Sequence, residues 1–218
     1  MAEAPELARS GPRRRTVLAA LAPIAPLALA GCAAEDRPAA PAPGPQPPPK
    51  DVLVMVIRHA EKPYAGDTGE DDEGNDDAGS LAVRGRRRAE ALPQLFPPTP
   101  GALLPRPTVI FAGGAAGAAR SRQTVAPLAE ALRTPVRADL AVGREADLAR
   151  AVLAARAPVL VCWEHTGVPR LVTALGADQV LGIPAGWPDR YDLVWLLARR
   201  QGRWSFRELP QHLLTGDA

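Results

Sequence analysis

The 218-residue sequence contains few aromatic residues, histidines or cysteines. Aromatic residues make up 4% of the chain, so the core must rest on Leu, Val, Ala and Ile, which an apolar content of 46% allows. Net charge is also small. The chain has 26 basic and 24 acidic residues. Four of the basic and two of the acidic residues lie within residues 1–31, so the rest of the chain has 22 of each. This balance argues against the basic surface of a nucleic-acid-binding protein.

The N-terminal apolar run is too short to cross a membrane. It covers 14 residues, 17–30, whereas a membrane-spanning helix needs roughly 20. Arginines precede the run and small residues follow it, which is the order of a secretory signal. The pair Arg14-Arg15 resembles a twin-arginine export signal. We therefore predict that residues 1–31 are a signal peptide.

Cys32 ends a Leu-Ala-Gly-Cys segment that resembles a bacterial lipobox. In that interpretation Cys32 carries a lipid and becomes the first residue; the alternative is an uncleaved tail with an incidental cysteine. Residues 33–50 contain seven prolines, and Pro-rich segments are extended at about 3 Å per residue. We therefore predict that residues 32–50 form an extended linker of about 50 Å. We expect an exported protein that is anchored to the lipid bilayer and faces the periplasm or the cell exterior.

Only one other cysteine, Cys162, is present. If Cys32 is lipidated, no disulfide can form within the monomer. Because Cys162 lies in an apolar run, we predict a buried thiol without a chemical role.

The remainder, residues 51–218, alternates strand-like and helix-like patterns and is predicted to be one domain. Continuous apolar runs typical of strands buried on both faces occupy 51–57, 107–112 and 157–163. Helical patterns occupy 83–96, which Pro93 kinks or ends, 119–132, 145–155 and a segment after His165. Residues 191–209 read as an antiparallel hairpin around a glycine turn. The pattern predicts an α/β three-layer sandwich, with a mostly parallel central sheet, helices on both faces and a C-terminal β-hairpin.

Polar residues follow each of these strands along the chain. Arg58 and His59 follow the first strand, Arg120 opens the helix after the second, and His165 follows the third. In parallel sheets the ligand lies beyond the carboxyl ends of the strands. We therefore expect these four side chains to meet at one sheet edge.

Two arginines and two histidines suit a phosphate monoester. The planar fork of arginine matches phosphate oxygens and stays charged at any working pH. A neutral imidazole can attack phosphorus to give a phosphohistidine, and a second histidine can donate hydrogen bonds as negative charge develops. This set of residues needs no metal and no cofactor.

Four segments resemble motifs of the histidine phosphatase superfamily, which has a phosphoglycerate mutase-like fold. They are VIRHAEKP (56–63), LAVRGRRRAEAL (81–92), RSRQTVAPLAEAL (120–132) and PVLVCWEHTGVPRLVTALG (158–176). Ala60 replaces the commoner glycine of the first motif, and Ser121 stands where alanine is usual. The resemblance spans about 51–176 with the motifs in order.

The resemblance implies a metal-independent phosphatase that hydrolyses a phosphomonoester or phosphohistidine, in a small substrate or a phosphoprotein. His59 would be the nucleophile, Arg58 and Arg120 would bind the phosphoryl group, and His165 would complete the pocket. Glu145 lies where one branch of the family places its general acid.

Several alternatives stay open. Arg122 competes with Arg120 for the second arginine position, although the spacing to Gln123-Thr124 favours Arg120. Glu145 could equally be a helix-start residue. Glu164 adjoins His165, on the other side from the acid of a family branch that uses His-Asp. Phosphohistidine substrates do not need an obvious acid.

Other functions remain to be weighed against a phosphatase. A metal hydrolase would use His59, Glu61, Glu164 and His165, but Arg58 beside a cation would be repelled. The acidic loop 65–80 lacks the order of a calcium-binding loop. A mutase would need insertions to hold a second phosphate. The main alternative is a catalytically inactive surface lipoprotein that binds a phosphate ligand.

Overall fold

The structure, a computed structural model, describes residues 50–217 except 72, 100, 101, 103 and 115–117. The predicted signal peptide (1–31), Cys32 and the linker up to residue 49 lie outside the described residues. Within the described part, no helix has the length and apolar character to cross a bilayer.

Strands and helices alternate along the described chain. The strands are β1 (Val52–Arg58), β2 (Val109–Ala112), β3 (Val136–Arg137), β4 (Val159–Trp163), β5 (Leu193–Arg200) and β6 (Arg203–Pro210). The α-helices are α1 (Val83–Ala91), α2 (Ala119–Leu132), α3 (Glu145–Ala154) and α4 (Val168–Leu175). The strands form one sheet in the order β3-β2-β4-β1-β5-β6. β1 to β4 pair in parallel, and β5 and β6 pair antiparallel.

Helices cover both faces of the sheet. Side chains alternate in direction along a strand, and β1 divides them between two cores. Val54 and Val56 belong to the core that includes residues of α3 and α4. Met55 and Ile57 belong to the core that includes residues of α2 and of a 3₁₀ turn at Leu92–Leu95. The predicted three-layer architecture is confirmed.

The chain departs from the predicted elements in two places. The helix expected over 83–96 is divided, because α1 ends at Ala91 and the 3₁₀ turn follows. Pro93 lacks a backbone N–H and cannot continue α-helical hydrogen bonding. The edge strand β3 was not predicted, because its two exposed residues are too few to show a periodic pattern.

The predicted C-terminal hairpin is present as β5 and β6. Gln201 and Gly202 connect the strands with φ values of 49° and 79°, and Arg200 pairs with Arg203 across them. Positive φ at both central residues fits the right-handed twist of the flanking strands, as in a type I′ turn. The glycine turn of the sequence is thereby explained.

The acidic segment 65–80 runs over the surface and has local structural functions. Both carboxylate oxygens of Asp67 accept hydrogen bonds from the first two backbone N–H groups of α1, at 2.8 and 3.2 Å. These groups lack partners within the helix, and the positive end of the helix dipole favours an anion there. Asp77 accepts hydrogen bonds from the Ser80 hydroxyl and the Gly79 N–H. Among the described residues, no three His, Cys, Asp or Glu side chains are grouped to hold a metal ion.

Candidate active site

The carboxyl ends of β1 and β4 bring the two motif histidines to one edge of the sheet. Arg58 pairs with Trp163 in the parallel register. The next residue, His59, donates its backbone N–H to the Trp163 carbonyl oxygen at 3.2 Å. His165 follows Trp163 by two residues. Both histidines therefore leave the sheet from neighbouring strand ends, where ligands of parallel sheets bind.

His59 is buried and is held as the neutral imidazole. Its side chain is one of the few buried polar groups, with 5% of the residue exposed. Burial lowers the pKa of His59 to about 4, and the nearby charges of Arg120 and Arg58 act in the same direction. Nδ1 lies 2.7 Å from the Ala60 carbonyl oxygen, which can only accept a hydrogen bond. Nδ1 therefore carries the proton, and the lone pair lies on Nε2.

Helix α2 is tied to the loop that carries His59. The Thr124 hydroxyl accepts a hydrogen bond from the Ala60 N–H at 2.8 Å and donates to the Arg120 carbonyl oxygen at 2.7 Å. Gln123 accepts from the Leu81 N–H and donates to the Ser80 hydroxyl, both at 2.9 Å. The Gln-Thr pair of the third motif thus fixes the first turns of α2 against two loops.

Arg120 lies in the first turn of α2. The charge of Arg120 contributes to the lowered pKa of His59. The Arg120 side chain donates to the Ala78 carbonyl oxygen at 3.0 Å, and its Nε is buried without a hydrogen-bond partner. The rival residue Arg122 is exposed and donates to the Gly113 carbonyl oxygen. The geometry favours Arg120.

Arg58 is held by residues that lie more than 130 positions away in sequence. Its guanidinium donates to Asp189 Oδ1 and to the Tyr191 hydroxyl, each at 3.3 Å. The guanidinium also stacks 4.1 Å from the centre of the Tyr191 ring, and that ring lies 6.0 Å from His59. Sequence reasoning missed Asp189 and Tyr191, because no local pattern marks a contact at this separation.

His165 is paired with its neighbour Glu164. Nδ1 of His165 lies 2.7 Å from Glu164 Oε1, so the carboxylate is an ionic partner of the ring although no hydrogen bond joins the two groups. The other carboxylate oxygen of Glu164 accepts from the Thr166 N–H and hydroxyl. The Glu164 charge also acts on His59 and opposes the lowering of its pKa. Glu164 therefore contacts His165 and lies close enough to His59 for its charge to act there.

The structure gives Glu145 partners that argue against the predicted general-acid role. Its buried carboxylate accepts from Trp163 Nε1 at 3.0 Å, from Arg170 at 3.0 and 3.3 Å, and from the Gly143 N–H at 2.9 Å. Against the effect of burial, these donors, Arg170 first among them, lower the pKa of Glu145 to about 2. A general acid must hold a proton at the working pH, and these contacts favour the ionised form.

Glu145 instead supports the segment that carries His165. It binds Trp163 on one side of this segment and Arg170 on the other. A Cβ atom at Gly167 would lie 2.6 Å from Glu145 Oε1 and 2.7 Å from the Trp163 indole nitrogen. Only glycine lets the segment approach so closely.

Glu61 follows the His59 loop and joins a buried ionic network. Its carboxylate accepts from Arg88 at 2.8 to 3.1 Å and from Arg84 at 3.2 Å. Arg88 also donates to both oxygens of Asp217, at 2.7 and 2.9 Å. A Cβ at Gly85 would lie 2.5 Å from the Glu61 carbonyl oxygen, so α1 approaches this loop closely. These ion pairs occupy Glu61 and leave it unsuited to bind a metal ion.

Cys162 is fully buried on β4. Burial raises the pKa of its thiol to about 12, although the hydroxyls of Ser121 and Thr124 act in the opposite direction. Since the thiolate is the reactive form, this position is chemically inert. Ser121, which replaces the usual alanine, supplies a hydrogen-bonding partner for the thiol.

The site contains unsatisfied hydrogen-bond donors. Among the described residues, four buried side-chain nitrogen or oxygen atoms lack a hydrogen-bond partner: Arg58 Nε, Arg86 Nε, Arg120 Nε and His165 Nδ1. Three of the four belong to residues that the sequence assigned to phosphate binding. A buried donor without a partner is costly, and an anion between these side chains would supply acceptors.

The chain is similar in structure to several solved proteins. A protein assigned as an alpha-ribazole-5'-P phosphatase from Escherichia coli is 13% identical, with a TM-score of 0.49, and the match covers 73% of this chain and 96% of that one. A mycobacterial glucosyl-3-phosphoglycerate phosphatase is 17% identical, with a TM-score of 0.43, and the match covers 72% of this chain and 97% of that one. A protein assigned as a phosphohistidine phosphatase from Agrobacterium tumefaciens is 20% identical, with a TM-score of 0.38, and the match covers 72% of this chain and 96% of that one.

These neighbours are members of the histidine phosphatase superfamily, which the sequence motifs resemble. No protein-family model matches the sequence, and no curated protein matches it either.

Proposed function

We propose that this protein is a metal-independent phosphatase that hydrolyses a phosphomonoester or phosphohistidine through a phosphohistidine intermediate on His59. The observation that carries the proposal is the combination of a neutral His59 with buried Nε donors on Arg58 and Arg120 that lack a hydrogen-bond partner. The first group is a nucleophile, and the others are suited to hold the phosphoryl oxygens.

In the first step, Nε2 of His59 attacks phosphorus while the bond from phosphorus to the leaving oxygen breaks. Negative charge on the phosphoryl oxygens is balanced by Arg58 and Arg120, and His165 donates to one of these oxygens. The Ala60 carbonyl oxygen keeps the Nδ1 proton in place as the ring becomes positively charged. In the second step, water attacks phosphorus while the N–P bond breaks. A proton of the water passes to the carboxylate that protonated the leaving oxygen, and inorganic phosphate leaves.

The leaving oxygen of an alkyl ester needs a proton. Glu145 is engaged elsewhere, so we assign this role to Glu164, whose charge acts on His59 and whose carboxylate lies against His165. A phosphohistidine substrate places less demand on this proton, because its leaving group departs readily.

Hydrolysis of p-nitrophenyl phosphate in the presence of EDTA tests the activity. The full chain should release nitrophenol, and His59→Ala should abolish release while the circular dichroism spectrum is retained. His212→Ala is the matched control, since His212 is an exposed residue outside the motifs. A radiolabelled phosphoryl group should be trapped on His59. If the protein binds inorganic phosphate in calorimetry but never turns over an ester, the inactive binding lipoprotein is the correct function.

The proposal includes a location. We infer from the motif at Cys32 that the enzyme is exported and held at the membrane by a lipid, with the Pro-rich linker between the lipid and the domain. Its substrates would then be phosphorylated molecules outside the cytoplasm.

A further inference from the structure

A loop before the C-terminal hairpin closes one side of the candidate active site. Residues 187–192 place Asp189 and Tyr191 against the guanidinium of Arg58. The Arg58 side chain is only 2% exposed, whereas that of Asp189 is 98% exposed. Asp189 therefore lies at the mouth of the site, with the phosphate-binding arginine beneath it.

The loop is held in place by its own contacts. Trp187 is buried, donates Nε1 to the Arg190 carbonyl oxygen at 3.0 Å and stacks 4.7 Å from Trp195 of β5. Arg190 forms two hydrogen bonds of 2.7 and 2.6 Å with Asp192. These contacts hold the chain on both sides of Asp189, and Asp189 itself contacts Arg58.

The contact between Asp189 and Arg58 has a consequence for the substrate. Nε of Arg58 is buried without a partner. A phosphoryl group that binds to Nε therefore comes close to the guanidinium nitrogen that donates to Asp189. When phosphate oxygens take over the guanidinium, the Asp189 carboxylate loses its cationic partner and lies near a second anion. A positive charge on the leaving group would restore an ion pair, whereas a negative charge would add repulsion.

We propose that Asp189 makes the site select phosphate esters whose leaving group carries a positive charge. Tyr191 has a different role: it fixes the orientation of the Arg58 fork through its hydroxyl and its ring. The inference rests on the proposed phosphatase function and names the class of substrate for that site.

Three two-carbon phosphate esters test the selection. Ethanolamine phosphate carries a cationic leaving group, ethyl phosphate a neutral one and phosphoglycolate an anionic one. The full chain should show the highest kcat/KM for ethanolamine phosphate and the lowest for phosphoglycolate. Because the ion pair is exposed, we expect Asp189→Asn to reduce the ratio between the two extremes by about two- to five-fold. Asp189→Lys should reverse the order, and added salt should weaken the preference of the unchanged protein.

Asp178→Asn is the matched control, since Asp178 is exposed and contacts Gln179 outside the site. Its ratio should equal that of the unchanged protein. An identical ratio in the unchanged protein, Asp189→Asn and Asp189→Lys would overturn the inference.

Binding separates this inference from the proposed function. Calorimetric dissociation constants for the three esters are measured on the full chain carrying His59→Asn, which cannot form the phosphoenzyme. If no ester is hydrolysed by the unchanged protein, the phosphatase proposal fails, yet a charge-dependent order of affinities that Asp189→Lys reverses still supports the role of Asp189. Affinities without charge dependence overturn it whether or not turnover is seen.

Discussion

Nδ1 of His59 lies 2.7 Å from the carbonyl oxygen of the next residue, Ala60. This contact fixes the tautomer of a ring whose pKa is lowered, chiefly by burial, to about 4. The same Ala60 donates its N–H to Thr124 on α2. One residue thus aligns the proposed nucleophile with the helix that supplies the second arginine.

The first prediction concerns the titration of His59. Because its pKa in the folded protein is about 4, His59 should stay mostly neutral at pH 5 to 6, where an ordinary histidine is mostly protonated. Imidazole NMR resonances recorded from pH 3 to 8 measure this, and the spectrum of His59→Gln assigns the signal. A midpoint near 6.5 would contradict the burial argument.

The same shift affects stability. The unfolded chain binds a proton at His59 below pH 6.5, whereas the folded protein resists doing so until about pH 4. Stability should therefore fall as the pH is lowered through this window, by up to about 3 kcal/mol for this group. Urea unfolding of His59→Gln should show a correspondingly smaller loss between pH 7 and 4.

Much of the fold and several site positions could be predicted from the sequence. β1, β2 and β4 are continuous apolar runs, and the basic residues of the site follow two of them directly. Their position in the sequence therefore predicts that they lie at the edge of the sheet where the parallel strands end. Arg58 and His59 could be placed because a strand end is a local feature.

The remaining parts of the site could not be predicted because they depend on distant contacts. Tyr191 reaches Arg58 across 133 positions, and Asp217 reaches Arg88 across 129. Glu145 falls at a motif spacing that suggested an acid, but only the structure shows that Trp163 and Arg170 occupy its oxygens. The motif spacing can mark Glu145 as a candidate, but its role depends on the groups that bind its carboxylate in the folded protein.

The second prediction distinguishes two roles for Glu145. If Glu145 supports the His165 segment, Glu145→Gln should lower the turnover of p-nitrophenyl phosphate and of ethyl phosphate by similar factors. The support does not involve a proton transferred to the leaving group, so the loss should not depend on which ester is used. It should also destabilise the fold by about 1–3 kcal/mol, the cost of disrupted buried hydrogen bonds.

Glu164→Gln is the comparison for this test. It should lower turnover of ethyl phosphate far more than that of p-nitrophenyl phosphate, whose leaving group needs no proton. A selective loss in Glu145→Gln instead would restore Glu145 as the general acid.

The third prediction concerns the buried network of Glu61, Arg88 and Asp217. Arg88 is 3% exposed, so Arg88→Met would leave the buried carboxylates of Glu61 and Asp217 with only the more exposed Arg84 as a cationic partner. The change should cost about 3–5 kcal/mol. The triple variant Glu61→Gln, Arg88→Met, Asp217→Asn should be less destabilised than Arg88→Met alone. Urea unfolding at pH 7 measures both, and simple additivity of the three changes would show that the charges are not coupled.

The fourth prediction tests the lipid anchor. Cys32→Ser should move the protein from the membrane fraction to the soluble fraction of its host, because the thioether to the lipid cannot form. Cys162→Ala is the control: this cysteine is buried in the sheet, and its replacement should leave the protein with the membranes. Tight membrane association of Cys32→Ser would contradict the lipobox interpretation.

The last prediction separates the two arginines at the start of α2. Arg120 lies close enough to His59 to influence its pKa, and its Nε is buried without a partner, whereas Arg122 is exposed. Removing a charge-assisted hydrogen bond to phosphate costs about 1.5–3 kcal/mol. Arg120→Ala should therefore raise the dissociation constant for inorganic phosphate about 10- to 150-fold in calorimetry, while Arg122→Ala should change it less than about three-fold. The opposite ranking would transfer the phosphate contact to Arg122.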